Sequence, residues 1–496
     1  MLIRADWMRT AAALLLAWAG TIAPVAAQSV WAPGARMNVA RAGHTATVLP
    51  DGRILVVGGH QDNNILASAE LYNPVDGTWR LTASLKVPRH FHTATLLGDG
   101  RVLVIAGRTV ADWATLCELY DPATESWAST GALNADEGHT ATLLHDGRVL
   151  VAGGYRLPAP SAIYEPATGT WTTAGELGVP RLHHTATRLR DGRVLVVGGF
   201  ETYNYPTDNG PLTLAEWYDP ATDQWSPAAG QVEMYGHAAT LLRDGRVLVA
   251  GGNAAPQIFD PAIRTWTATL PNDASYGPGA VLLPSGDVLL AGGSSGLLFS
   301  GAARDVVQRF EVVTGTWNRA GNLLTARAQH TLSKLLDGRI LVAGGTANPR
   351  STGALDSTEL LAAAATSVAT IGAEFTGAWY DPAQNGHGIF IEVLPENRFF
   401  ATWLTFDPSG AQAWLVGLGT YGGDTATLTA VEQPGGGGWV PNLVPNHVVR
   451  NAWGTLVFTF TDCNHGRVAF SSPVAGFGRG SMELTRLTLP LGVTCP

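Results

Sequence analysis

Six histidines recur at even intervals along the N-terminal part of the chain: His44, His92, His139, His184, His237 and His330. Imidazole is the commonest protein metal ligand, so such a series is the first place to look for chemistry. Each histidine sits in the same local context, however. A residue that returns in nearly every repeat serves what every repeat needs, such as a hydrogen bond between units or to a loop backbone, whereas a site breaks the repeat. The histidines are therefore read as structural, together with the arginines three residues earlier, Arg41, Arg89, Arg181 and Arg327. No metal and no cofactor is expected.

Function is better sought where the repeat is broken: at Phe91, His183, Met234, Tyr235 and Tyr276, and at Arg108 after the glycine of the second unit. The longest insertion, Glu201 to Leu214, contributes Tyr203, Tyr205 and Asp208. Aromatic and polar groups on a concave face suit sugar or peptide binding, with ordinary loop variation as the plainer alternative. The candidate binding residues are Phe91, Arg108, His183, Tyr203, Tyr205, Tyr235 and Tyr276. No catalytic residue is assigned. The chain has no Gly-x-Ser-x-Gly elbow, no His-Glu-x-x-His and no phosphate loop, and Asp136 beside Glu137 does not place an acid and a base across one substrate.

The elements that position these residues follow from the repeat itself. One unit runs His44-Thr-Ala-Thr-Val-Leu-Pro-Asp-Gly-Arg-Ile-Leu-Val-Val-Gly-Gly59 and then Glu70-Leu-Tyr-Asn-Pro-Val-Asp-Gly-Thr-Trp79. It returns from His92, His139, His184, His237 and His330, and in worn form from Pro278. A spacing of roughly 40 to 55 residues is that of a four-stranded propeller blade. Two β-rich runs flank an Asp-Gly pair suited to a tight hairpin turn. The glycine pair Gly58-Gly59 lets backbone pass where a Cβ would crowd the neighbouring blade; the second unit departs with Ala106-Gly107. A third strand ends at Tyr-Asp-Pro and a fourth carries a Trp. These aromatics form the pairs Tyr72 and Trp79, Tyr120 and Trp127, Tyr164 and Trp171, Tyr218 and Trp225, Phe259 and Trp266, and Phe310 and Trp317, each expected between adjacent sheets.

The last unit tests closure. Ser357-Thr-Glu-Leu-Leu361 matches the third strand but no Trp follows it, while Trp31 precedes His44 by the interval that separates Trp79 from His92. The strand around Val30-Trp31 should therefore complete the seventh blade and protect its edge. The expected fold is all-β, a seven-bladed propeller closed by its N-terminal strand.

The diglycine followed by a spaced Tyr and Trp resembles the kelch repeat, and the His-Thr-Ala-Thr-x-Leu-x-Asp-Gly-Arg form is similar to the repeats of galactose oxidase and its relatives, over about residues 30 to 361. The resemblance implies fold more strongly than function. Copper radical oxidases of that kind need a Tyr directly before one such His and a Tyr crosslinked to a Cys. Here the preceding residues are Gly43, Phe91, Gly138, His183, Gly236 and Gln329, and Cys117 falls on a different strand. That chemistry is not expected. Some kelch propellers are sugar isomerases, so an enzyme remains an alternative.

The Ala-rich stretch 362–374 separates the propeller, 28–361, from a module of different grammar, 375–496. It contains about eight strand-like runs, which suits a small β-barrel or β-sandwich. Trp379-Tyr-Asp-Pro-Ala-Gln-Asn-Gly-His-Gly388, Thr405-Phe-Asp-Pro-Ser-Gly410 and Asp462-Cys-Asn-His-Gly466 resemble a domain of unassigned function found at the ends of exported bacterial proteins. His387, Trp403, Trp414 and His465 either line a pocket or serve core and turns. Cys463 and Cys495 are expected to form a disulfide, and Cys117 is read as a buried small hydrophobe.

Arg4 and Arg9, the apolar run Ala11 to Ala19 and Pro24-Val25-Ala26-Ala27 have the layout of a signal peptide, 1–27, cleaved near Ala27. No later stretch looks membrane-spanning, and a net charge of −9 without a basic run gives no invitation to nucleic acid. The chain is thus expected to be secreted or periplasmic, a non-catalytic recognition protein whose propeller face binds an extracellular or periplasmic glycan or protein. The alternatives are a carbohydrate-active enzyme, of isomerase or oxidase type, with its site at the channel mouth, and a structural envelope component.

Overall fold

The computed structural model describes residues 30–135, 137–154, 160–201, 212–231, 233–273, 275–296, 301–348, 353–362, 371–381, 387–436 and 448–488. The expected export segment, Tyr203, Tyr205, Asp208, most of the Ala-rich stretch and Cys495 lie outside them. The chain divides into two compact units, Met1–Ala362 and Ala363–Pro496.

The first unit is a ring of seven four-stranded antiparallel sheets. Blade 1 runs outward from the axis as Thr45–Val48, Ile54–Val57, Ala69–Asn73 and Thr78–Thr82. Blades 2 to 6 follow, with innermost strands Thr93–Leu96, Thr140–Leu143, Thr185–Arg188, His237–Leu241 and Gly279–Leu282. Thr331–Lys334 begins blade 7 and lies next to Thr45–Val48, which closes the circle. Second strands such as Ile54–Val57 are buried along their whole length. They are covered on both faces by neighbouring blades, hence their unbroken apolar sequence.

Each Asp-Gly-Arg turn is one device. Asp51 Oδ1 accepts the Arg53 backbone N–H at 3.0 Å and its Oδ2 accepts Arg53 Nε at 2.7 Å, while Gly52 takes φ 88°. The aromatic pairs lie directly opposite each other in register, with Tyr72–Trp79 centroids 4.9 Å apart and Phe310–Trp317 5.0 Å. They reach between blades as expected: Tyr120 of blade 2 joins Leu55, Val57 and Leu71 of blade 1 in one apolar cluster, and Trp127 Nε1 donates to the Ala83 carbonyl at 2.7 Å.

Closure occurs as the sequence predicts. Trp31–Pro33 is the outermost strand of blade 7, with Trp31 opposite Leu361. Trp31 is 3% exposed and packs on Leu289, Ala291 and Val307 of blade 6. That is the neighbour contact every other blade makes with its own Trp.

The second unit is a closed eight-stranded barrel rather than a sandwich. Its strands are Gly377–Tyr380, Gly388–Leu394, Arg398–Phe406, Gln412–Gly422, Thr425–Gly436, Val448–Asp462, His465–Ser471 and Arg479–Arg486, and Trp379 pairs with Arg486 to close it. Alternation along Arg398–Phe406 sends Phe399, Ala401 and Trp403 inward, where they meet Trp379, Trp453, Phe458 and Phe460. Trp403 is thus core. His387 Nδ1 bonds Thr405 Oγ1 at 2.8 Å, His465 Nδ1 pairs with Asp462 across a tight turn at 2.9 Å, and Trp414 faces outward, 53% exposed. Cys463 is buried and disulfide-bonded, and Cys117 is a free, buried thiol.

Candidate functional site

Histidines and diglycines lie at the same end of the blades, the mouth of the ring, and they form one joint. His92 Nε2 bonds Thr45 Oγ1 of the preceding blade at 2.9 Å, and His139–Thr93, His184–Thr140 and His237–Thr185 repeat the bond at 2.9 Å. His44 meets Thr331 at 3.2 Å across the closing seam. The imidazole rests on the first glycine of the preceding blade: a Cβ on Gly58 would stand 3.0 Å from His92 Cε1, and one on Gly344 2.7 Å from His44 Cε1. The second glycine clears its own blade's histidine, with Gly59 facing His44 Cβ at 2.9 Å. Burial, with the arginines alongside, holds His44, His92 and His184 well below the usual imidazole range; burial alone brings His237 down to about 4. These rings are neutral bolts between blades.

The arginines three residues earlier lock each mouth loop to its blade. Arg41, wholly buried, donates Nη1 to the carbonyls of Gly58 at 2.8 Å and Ser68 at 2.9 Å, and Nη2 to Glu70 at 2.8 Å. Glu70 in turn accepts the backbone N–H groups of Asn38 at 2.7 Å and Val39 at 2.9 Å. Arg89–Glu118, Arg181–Glu216 and Arg327–Glu359 repeat the arrangement. Sequence reasoning grouped the arginines and missed their partners, although Glu stands two residues before the third-strand aromatic position in the same four blades.

Blade 6 replaces the whole apparatus with neutral groups. Ser275 Oγ donates to the Gly292 carbonyl at 2.5 Å, and Gln308 accepts the Asp273 N–H at 2.8 Å. A narrow gap lined by Ser275, Pro278, Gly292 and Gln308 remains where other blades hold a guanidinium. Gly279 stands where blades 1 to 4 and 7 offer a Thr, so His330, both of whose ring nitrogens are buried, has no hydroxyl to meet.

On this frame the mouth carries its variable residues. The residue before each ring position adopts a left-handed backbone in all seven blades: Gly43 62°, Phe91 51°, Gly138 79°, His183 55°, Gly236 64°, Gly277 61° and Gln329 54°. Bonds from Gly43 N to Gln329 O, Phe91 N to Gly43 O, His183 N to Gly138 O and Gly277 N to Gly236 O run between blades at 2.7–3.1 Å. Glycine takes this conformation freely; at Phe91, His183 and Gln329 it costs on the order of 1 kcal/mol each and fixes a side chain at the mouth.

Two clusters result. On blades 4, 5 and 6, Phe200, Tyr235 and Tyr276 form a row: Phe200–Tyr235 centroids are 4.6 Å apart, and Tyr235 stacks on Tyr276 at 5.7 Å and 27°. Gly236 makes room for the row, since a Cβ there would stand 3.0 Å from Tyr276 Cδ1. Asn253 Oδ1 accepts the Tyr235 N–H at 2.9 Å. Burial, then contact with Tyr276, pushes the Tyr235 phenol up. On blades 1, 2 and 7, His60 stands edge-on to His90 at 5.1 Å and tilted to Phe91 at 6.1 Å, with its Nε2 3.2 Å from Gln329 Oε1. Burial, then His60 and Arg108, brings His90 down to about 4. Arg108 lies 5.8 Å from the Trp113 ring.

Of the expected residues, Tyr235 and Tyr276 come together, Phe91 and Arg108 join the second cluster, and His183 is held by its backbone, with burial bringing its imidazole down to about 4. Phe200, His60, His90 and Gln329 were missed. The available signal was the position after the diglycine, which pairs with the residue two before the ring position, as in Ala42 with His60 and Leu182 with Phe200.

Residues 40–86 and 181–230 match the kelch motif family. Together with seven four-stranded blades, this decides the assignment. The ring carries kelch repeats folded as a seven-bladed propeller. A solved structure described as a novel fungal alcohol oxidase with catalytic diversity among the AA5 family, in complex with copper, is similar to this chain with a TM-score of 0.57 at 14% identity, covering 92% of this chain and all of that one. No curated protein sequence matches. At that identity the likeness is one of fold. This kelch propeller does not offer the copper donor set its resemblance would imply. Five of the ring histidines spend Nε2 on threonine hydroxyls. No Tyr precedes a ring histidine, and Cys117 lies buried among Leu103, Ile105 and Tyr164, where burial pushes its thiol up to about 11.

Proposed function

We propose that this kelch propeller belongs to an exported recognition protein that binds glycan at its mouth, on the row Phe200–Tyr235–Tyr276. The observation that carries the reading is the stacking of half-buried Tyr235 on half-buried Tyr276, backed by buried Phe200, three aromatic side chains from consecutive blades. Aromatic faces bury the apolar faces of a sugar at low entropic cost, and phenol hydroxyls add orientation. A protein surface presenting similar groups is the other partner compatible with it. Export rests on the signal-peptide layout of residues 1–27. The barrel would add a second binding or attachment surface, supported by outward-facing Leu404 and Trp414, which lie directly opposite each other.

The enzyme alternative finds its best footing in the His60–His90 pair, two imidazoles within 5.1 Å beside Phe91. A glycan array on the secreted protein, with metal analysis and sugar-turnover assays on the same sample, separates the two. Saturable binding without turnover supports recognition; turnover that depends on His60 replaces it with catalysis.

A further inference from the structure

A cleft in the propeller lies away from the mouth. It opens on the opposite, turn-bearing face between blades 4 and 5, with a volume of about 630 Å³, within the range that accommodates a small ligand. Its residues depart from the repeat in a consistent direction.

Elsewhere on this face, the arginines of three Asp-Gly-Arg turns reach the next blade. Arg53, Arg101 and Arg339 donate to the carbonyls of Pro122, Pro166 and Pro74 at 3.2, 3.5 and 2.6 Å. Arg53 also meets Glu125 at 2.7 Å; Glu125 occupies the left-handed corner, φ 51°, of the turn in blade 2. In blade 5 the same corner holds Arg264, φ 57°. Arg193, the counterpart of Arg53, keeps the pair with its own Asp191 that every such turn makes, giving it Nε at 2.8 Å and Nη2 at 2.5 Å, and among the described residues it makes no hydrogen bond to the next blade.

Both guanidiniums converge on one ring. Arg193 lies 3.9 Å and Arg264 4.8 Å from the centroid of Trp217, a residue standing where five other blades have Leu71, Leu119, Ile163, Ile258 and Leu360 and blade 6 has Arg309. Two like charges drawn to one indole ring repel each other; each gains a cation–π attraction of about 0.5–1 kcal/mol at an exposed site, and Arg193 is held by Asp191 as well. Arg190 adds a third cation, lying along Gly245 of the next turn. The carboxylates are already occupied: Asp191 by Arg193, Asp244 by Arg246, and Asp260 by its own turn at the Ala262 N–H. Among the described residues no carboxylate meets Arg264.

We infer that this cleft binds an oxyanion, the carboxylate or sulfate of an acidic saccharide or a free phosphate or sulfate, between Arg264, Arg190 and the remaining Nη1 of Arg193. Guanidinium forks match such groups in geometry and charge. The site is independent of the mouth and shares no residue with it.

The test is calorimetric titration of the full chain with sodium sulfate, inorganic phosphate and galacturonate oligomers at constant ionic strength, alongside Arg264→Glu and Arg264→Ala. At least one probe should bind, and both variants should weaken it by about tenfold or more, as loss of a charge-assisted contact does. In addition, Arg264→Glu should raise Tm in anion-free buffer, because a carboxylate at that corner meets Arg193 as Glu125 meets Arg53. Tighter binding of the oligomer identifies a saccharide source and equal binding of the simple ions a free anion; either supports the site. Failure of all three probes to bind, or binding by both variants as tight as by the natural protein, would overturn it.

Discussion

Arg41 and Glu70 face each other at 2.8 Å with neither side chain exposed to solvent. A buried pair of this kind is expensive to break from one side, because the survivor is left charged and unpartnered. Glu70→Gln should therefore destabilise the propeller by about 3–5 kcal/mol in denaturant unfolding. Blade 6 already carries the neutral alternative in Ser275 and Gln308. The double change Arg41→Ser with Glu70→Gln should consequently cost less than Glu70→Gln alone. A double variant worse than the single would show that the guanidinium matters for its hydrogen bonds and not for charge balance.

The seam between Trp31 and Leu361 joins the ends of the ring. Trp31→Ala opens a cavity against Leu289 and Val307, at an expected cost of about 3–5 kcal/mol. Removing Val30 to Ala35 also bares the edge of Thr358–Leu361 and should add aggregation on heating. Calorimetry of the trimmed protein checks this; an unchanged transition would mean that the ring does not depend on its outermost strand.

Acid should unfold the propeller through its histidines. His237 and His330 are held down to about 4 and about 3, and His44, His92 and His184 lie well below the ordinary 6.5. The unfolded chain takes up these protons first, so stability is complete above pH 6.5 and falls as pH drops toward the folded values, by about 1.4 kcal/mol per pH unit for each histidine in its window. Tm should thus decline steeply between pH 6.5 and 4, before most carboxylates titrate. His237→Gln should flatten the slope, and a Tm independent of pH over that range would contradict the neutral-bolt role.

Much of this architecture is legible from spacing alone. Trp31 reveals the seam because its distance to His44 equals that of Trp79 to His92, and the eight barrel strands show as alternation in runs such as Arg398–Phe406. The pairing of Arg41 with Glu70 is hidden for a physical reason: a charged pair is assigned to the surface by default, and only packing of a mouth loop onto the third strand buries it. Phe200 escaped because its neighbour Tyr235 belongs to the next blade, a relation set by the radius of the ring and not by local sequence. Trp217, in the third strand of blade 4, and Arg264, in the turn after the third strand of blade 5, lie on different blades too, at positions whose repeat reads as structural. Tyr203 and Tyr205 lie outside the described residues.

The mouth is tested most directly by quantitative glycan-array binding of the full chain beside a Tyr235→Ala, Tyr276→Ala double variant with an unchanged Tm. Saturable binding of a glycan class by the natural protein, lost in the double variant, is the expected result. Equal binding by both proteins would contradict recognition on the aromatic row.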